Sequence, residues 1–205
     1  TNVDIAKLCE PTVDWFRSIS GESQQDMVIY SAGEHPFEQE DFERLDVSLK
    51  AILINPELAT DRYIQKRYRK SLGKKKKESY MGSILINANY QFMIGDPYHQ
   101  ACHVFNLGDE HLHLLNEGEH YSEYWLNKGV ETVVAVRSPI VHHSELGILV
   151  FKNDNKVKEW YKHIHSGIIF PTNGIGMDCA VHGGADFDGD LICTINNEIF
   201  MKGRI

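Results

Sequence analysis

Apolar and polar residues follow two rhythms along the chain, and the change falls near Tyr80. Before it, apolar positions recur at helical spacing. Asp4 to Ile19 reads as an amphipathic helix, and EQEDFERLDVSLKAILI, entered after Pro36, reads as another. Beyond Tyr80 the pattern shortens into β-rich runs, SILINA, YQFMI, ETVVAV, LGILVF, GIIFP, MDCAV and LICTI, most of them separated by glycines or polar turns. Between the second and third runs, from about Asp96 to Asn127, a polar, His-rich stretch predicts loop plus one short helix. Many short strands with turn signals predict a small barrel or sandwich. The expected fold class is α+β and β-rich, with a helical, basic-ended segment over 1–71 and a barrel over 72–205 that carries the His-rich insertion at about 96–127.

Composition changes this picture little. A hydrophobic fraction of 42% against 24% charged residues suits a folded chain of 205 residues and argues against wholesale disorder. No apolar run approaches the ~20 residues of a membrane span, and the N-terminal stretch lacks the basic-then-apolar order of a signal peptide. An intracellular, cytoplasmic protein without a membrane partner is therefore expected. Cys9, Cys102, Cys179 and Cys193 form no CxxC pair, which predicts reduced, mostly buried thiols. The chain opens on Thr1 and stops at Ile205 soon after its last motif, as a piece of a longer protein would.

Charge changes it more. The net charge of -8 argues against a generic nucleic-acid binder, but it hides a segregation. RYIQKRYRKSLGKKKK, Arg62 to Lys77, contains no acid; Lys66, Arg67, Arg69, Lys70, Lys74, Lys75, Lys76 and Lys77 are its candidate phosphate contacts. Tyr63 and Tyr68 interleave with these cations, placed either to stack on bases or to pack.

Two groups of potential metal ligands stand out. His99, Cys102 and His103 could share a helical face, with His111 and His113 nearby, and imidazole and thiolate are zinc ligands. Their spacing matches no zinc pattern, so solvated loop histidines are the reading preferred here. GGADFDGDLI is different. Asp186, Asp188 and Asp190 alternate along an extended segment, which points their carboxylates the same way, and Gly189 lets the chain turn so that they converge. Like charges that close repel, and a hard cation, magnesium or manganese or calcium, relieves the repulsion. A calcium loop of the EF-hand kind fails, because counting from Asp186 its required glycine is Leu191, its bidentate glutamate is Asn197, and its flanks are β-like. A plain acidic surface turn would not need apolar strands leading in and out.

ADFDGD resembles the catalytic magnesium loop of the two-barrel RNA polymerases, which include the β′-type largest subunit of DNA-dependent enzymes and the silencing-type RNA-dependent ones. VAVRSPIVHHSELGI resembles the β′ pattern Arg-x-Pro-x-x-His followed by Leu-Gly-Ile, carried by Arg137, Pro139, His142, Leu146, Gly147 and Ile148. YRKSLGKKKKESYMGSILI resembles the family's switch region and the start of its barrel, through Leu72, Gly73, Lys74, Tyr80, Gly82 and Ser83. The resemblance spans about Tyr63 to Asn197. It implies a double-psi β-barrel with Asp186, Asp188 and Asp190 as magnesium ligands, manganese as a possible substitute, and nucleotidyl transfer by two metals. It further implies Arg137 near the ribose of the incoming ribonucleoside triphosphate, a template and RNA product on the basic run, and a second, lysine-bearing barrel as partner.

The chain departs from the family at informative places. Gly184 stands where cellular β′ subunits have asparagine, which removes a side chain that helps select ribose. A short segment holding Trp160, between LGILVF and GIIFP, also differs, as fits a divergent, phage-like or element-encoded polymerase. No second barrel is found, so the chain alone is expected to be inactive. The Arg-Ser-Pro stretch and basic run favour a DNA template. The alternatives are a silencing-type RNA-dependent polymerase, or a non-catalytic barrel that binds a divalent cation or a partner protein.

Overall fold

The structure, a computed structural model, describes residues 2–19, 28, 43, 45–108, 113–173 and 178–203. It divides into two compact units, Thr1–Ile86 and Asn87–Ile205. Among the described residues no helix is long and apolar enough to cross a membrane.

The first unit contains α1 (Asn2–Ile19), α2 (Val47–Ile54), a 3-10 turn at Pro56–Thr60 and α3 (Arg62–Tyr80). Of the helix expected after Pro36 only Val47–Ile54 is α-helical among the described residues; Leu45 and Asp46 are not, because Asp46 takes an extended ψ and caps α2, and Pro36 lies outside the described residues. Asp61 starts α3 by accepting the N–H groups of Tyr63 and Ile64. Tyr68 and Leu72, one turn apart, bury that helix against Ile19, Ile52 and Ala59. The Tyr68 hydroxyl donates to the Ile19 carbonyl at 2.6 Å, so this ring packs inside and is not offered to a base. The division expected between residues 71 and 72 falls inside α3.

The second unit is a nearly closed, six-stranded double-psi barrel with short helices between its strands. Its elements are β1 (Ala88–Gly95), α4 (Pro97–Val104), β2 (Glu119–His120), α5 (Glu123–Asn127), β3 (Thr132–Val136), β4 (Gly147–Phe151), α6 (Asn155–Tyr161), β5 (Gly167–Phe170), α7 (Asp178–Val181), β6 (Leu191–Ile195) and α8 (Glu198–Lys202). The strand order is β2-β4-β3-β6-β1-β5. Tyr121, just past β2, exchanges both backbone hydrogen bonds with Ile169 of β5, which joins the two edge strands.

Strand alternation builds the core. Met93, Val133, Ala135, Leu149, Phe151, Ile168, Phe170 and Ile192 point inward at period two, around a fully buried Trp125. The intervening Ile169 of β5 packs on the other side, with Tyr121, Val157 and Tyr161. Trp125 Nε1 donates to Thr194 Oγ1 at 2.9 Å, and that hydroxyl donates onward to the Asn89 carbonyl at 2.9 Å.

Three sequence expectations are corrected. MDCAV is not a strand: Asp178–Val181 is helical, because this short apolar stretch is followed by glycines at positive φ that end it as one turn. In SILINA only Ala88 joins β1. Among its described residues the stretch from Asp96 to Asn127 holds two short helices and a strand in place of one helix, since Asp96 and Ser122 each stand at the start of their own.

The buried Trp125–Thr194–Asn89 chain predicts that Thr194→Val, which keeps shape but strands the indole N–H, lowers unfolding free energy by about 1–3 kcal/mol. Urea denaturation followed by tryptophan fluorescence measures it.

Candidate metal centre

The acidic turn joins α7 to β6. Gly184 and Ala185 both donate their N–H to the Cys179 carbonyl, at 2.9 and 3.1 Å, which folds the chain back over α7. Ala185 then enters the barrel core. At the far end, Met93 N–H donates to the Asp190 carbonyl at 2.9 Å, continuing the antiparallel β1–β6 register. Between these anchors Gly189 adopts φ +124°, a conformation that L side chains avoid, although a Cβ there would meet nothing within 4 Å. Backbone geometry, not space, requires the glycine.

Asp186, Asp188 and Asp190 converge: one carboxylate oxygen from each lies within 4.8 Å of the other two. The Asp186 N–H donates to Asp190 Oδ2 at 3.0 Å, and Arg137 Nη2 donates to Asp190 Oδ1 at 3.1 Å. The Asp186 N–H, and after it Arg137, hold the Asp190 carboxyl below the usual range. Asp188 moves the opposite way, because the hydrogen bond and charge of Asp186 raise its pKa. The opposition arises because Arg137 is hydrogen-bonded to Asp190 but acts on Asp188 only through its charge, where Asp186 outweighs it. An all-oxygen donor set of this kind suits a hard dication.

Arg137 follows β3 directly, and its pairing with Asp190 spans two strands that are neighbours in the sheet. Its guanidinium is partly exposed. Pro139 and His142 lie on the surface beyond it, His142 bonded to Ser144 at 2.8 Å. Leu146, Gly147 and Ile148 lead into and begin β4.

Gly147 has a role that spacing alone did not reveal. A Cβ at this position would lie 2.4 Å from Cε1 of His182, so only glycine lets β4 run against that ring. His182 is buried just before the acidic turn, and burial lowers its pKa. Asp178, one turn earlier on α7, is raised by burial but ends below the ordinary value because His120 and His182 face it. His120 Nε2 stands 3.4 Å from Asp178 Oδ1. This histidine–carboxylate group underlies the turn. Its signal, Asp178 and His182 four residues apart, is legible only once the segment is known to be helical.

The basic residues all lie on α3. Lys66, Arg67, Arg69, Lys70, Lys74, Lys75 and Lys77 are exposed, while Lys76 is partly buried. Arg67 is paired with Asp46 at 2.8 Å, Lys74 approaches Glu78 at 3.7 Å, and Lys75 lies over the Trp15 ring. A shallow surface cavity on this helix is lined by Tyr63, Arg67, Arg69, Lys70, Lys74 and Lys77.

On the barrel unit, a cleft of about 620 Å³ opens beside the acidic turn, bordered by Phe187, Gly95, Asp96, Thr172, His99 and His103. Cys102 does not share their face; it is buried on the inner side of α4. His111 lies outside the described residues.

No protein-family profile matches this chain, and no curated protein matches it in sequence. Among solved structures it is similar to an RNA-dependent RNA polymerase, QDE-1 from Thielavia terrestris, with a TM-score of 0.62 at 16% identity over 98% of this chain. The match covers 23% of the polymerase chain, so the present sequence spans about a quarter of that protein's length. At this identity the likeness is one of fold.

Proposed function

We propose that the chain is the metal-bearing catalytic module of an RNA polymerase, a nucleotidyltransferase that extends RNA from ribonucleoside triphosphates. The observation that carries this reading is the convergence of Asp186, Asp188 and Asp190 on a barrel whose fold a solved RNA polymerase shares. The oxygen-only donor set fits magnesium, with manganese as a substitute. Such an ion, when bound, neutralises charge on the transferring phosphoryl group and activates the attacking hydroxyl. The aspartates act as ligands, not as bases.

The protein's own residues prepare the site. Gly189 sets the bend, and the Asp186 N–H and Arg137 fasten Asp190, so the carboxylates are placed before any cation arrives. Arg137 is 30% exposed while it holds Asp190, which leaves part of its donor fork open to the ribose of an incoming nucleotide. The exposed cations of α3 grip template or product backbone, and a second, lysine-bearing barrel supplies the contacts to the triphosphate. Its provision elsewhere in a longer protein agrees with the small share of the solved polymerase that this chain spans.

For the template, the Arg-Ser-Pro segment and basic helix favour DNA by their resemblance to β′ subunits. The RNA-dependent enzyme among the structural neighbours favours RNA. Extension assays on matched DNA and RNA templates decide between them.

In the complete polymerase, Asp188→Asn should lower nucleotide addition by several orders of magnitude while template binding changes little. A rate within about tenfold of the parent, a loss of only ~1.4 kcal/mol, would remove the acidic turn from catalysis. Arg137→Gln should raise the pH at which the Asp190 carboxyl titrates, since a cation that favours its charged form is lost. Carbon NMR of labelled aspartate reads this shift directly, and the remaining Asp186 N–H keeps it short of full reversal. Each phosphate contact contributes about 0.7–0.9 to the slope of log affinity against log salt. Alanine at Lys74, Lys75 and Lys77 together should therefore flatten that slope by about 2–3, measured by fluorescence anisotropy across a salt series.

A further inference from the structure

α4 carries His99 and His103 one turn apart at the rim of the cleft, and the acidic turn uses neither. Their Nε2 atoms face each other at 2.9 Å, with ring centroids 4.5 Å apart. A third imidazole, His113, stands edge-on to His99 with centroids 6.3 Å apart. The opposite nitrogen of His99, Nδ1, lies 2.6 Å from Thr172 Oγ1. In the tautomer that carries its proton on Nδ1, this contact holds the ring and leaves Nε2 a lone pair, the arrangement that supports metal-ligating histidines.

The helix that bears the pair is itself locked. Asp96 Oδ1 accepts the N–H of Tyr98 and of His99, and also takes the Tyr161 hydroxyl at 2.6 Å. Metal–nitrogen bonds of about 2.0–2.1 Å at a tetrahedral angle set two ligand nitrogens ~3.3 Å apart. The pair must open by about 0.4 Å, and the His113 nitrogens, which do not yet stand with theirs, must move in to complete the set.

We propose that His99, His103 and His113 form a second metal site, for zinc, with its fourth position left to water. The site clasps His113 to α4 at the edge of the cleft. Ligand chemistry keeps it distinct from the acidic turn, because imidazoles favour zinc, cobalt and nickel whereas the aspartates favour magnesium and manganese. It does not depend on the polymerase reading.

The test uses the whole chain, free of tag histidines, stripped by chelator and held in excess magnesium. Cobalt(II) is titrated in by visible absorption and then displaced with zinc. One equivalent of cobalt should give the intense band of a tetrahedral site, and zinc should abolish it. His99→Ala and His103→Ala should each weaken binding about 100-fold or more, and His113→Ala at least about tenfold. Thr172→Val, which removes only the supporting oxygen, should cost about 10-fold. Asp188→Asn and His142→Ala should leave the titration unchanged. Circular dichroism checks each fold, and if His99→Ala is misfolded, His103→Gln on the exposed face carries the same test. A weak octahedral spectrum, binding indifferent to His113, or loss of the band in Asp188→Asn or His142→Ala would overturn the proposal.

Discussion

The hydrogen bond from Met93 N–H to the Asp190 carbonyl sets where the barrel stops and the acidic turn begins. It extends the β1–β6 ladder by one rung beyond the pairing of Phe92 with Leu191. Everything distinctive about the site depends on that rung, because the turn carries three like charges that tend to spread. A turn tied at one end only would relieve this by opening. Here Cys179 and the core-buried Ala185 tie the other end, so the crowding is held, and the hydrogen bond of Asp186 followed by its charge raises the pKa of Asp188.

The same scaffold explains why the neighbouring chemistry can differ so sharply. Asp96 ends β1 and starts α4, so one short connection carries the cleft from the strand beside the acidic turn to a helix face of imidazoles. Phe187 of the acidic turn and the imidazoles of His99 and His103 thus border one cavity, while the three aspartates lie outside its lining. The buried rings of His120 and His182 face the half-buried Asp178 next to the turn, with Gly147 making room for the His182 ring. Their chemistry is inward; that of His99 and His103 is outward.

In the first unit, α3 accommodates its charge run because its two faces have separate tasks. Like charges three or four residues apart on a helix face each other and destabilise it. The Asp61 cap and the burial of Tyr68 and Leu72 offset this, and Glu78 closes the run near its end. The cations therefore stay together on the outside of a helix that is stable for other reasons.

Legibility followed the range of the forces involved. Alternation in LGILVF, ETVVAV and LICTI predicted strands, and the DFDGD spacing predicted a bend at Gly189, because side-chain period and backbone sterics act within a few residues. MDCAV and SILINA misled for the same reason: β-type composition is satisfied only where a partner strand offers its hydrogen bonds, and sequence does not say where partners lie. Tyr68 read equally as a base-stacking or a packing residue until the Ile19 carbonyl was found opposite its hydroxyl, 49 residues away in sequence. The approach of Arg137 to Asp190, of His182 to Gly147 and of Thr172 to His99 likewise joins residues 53, 35 and 73 positions apart. The sequence alone determined which side chains could ligate a cation and where the chain could turn. Which of them meet was decided by barrel closure, because only the pairing of strands distant in sequence brings their side chains within bonding distance.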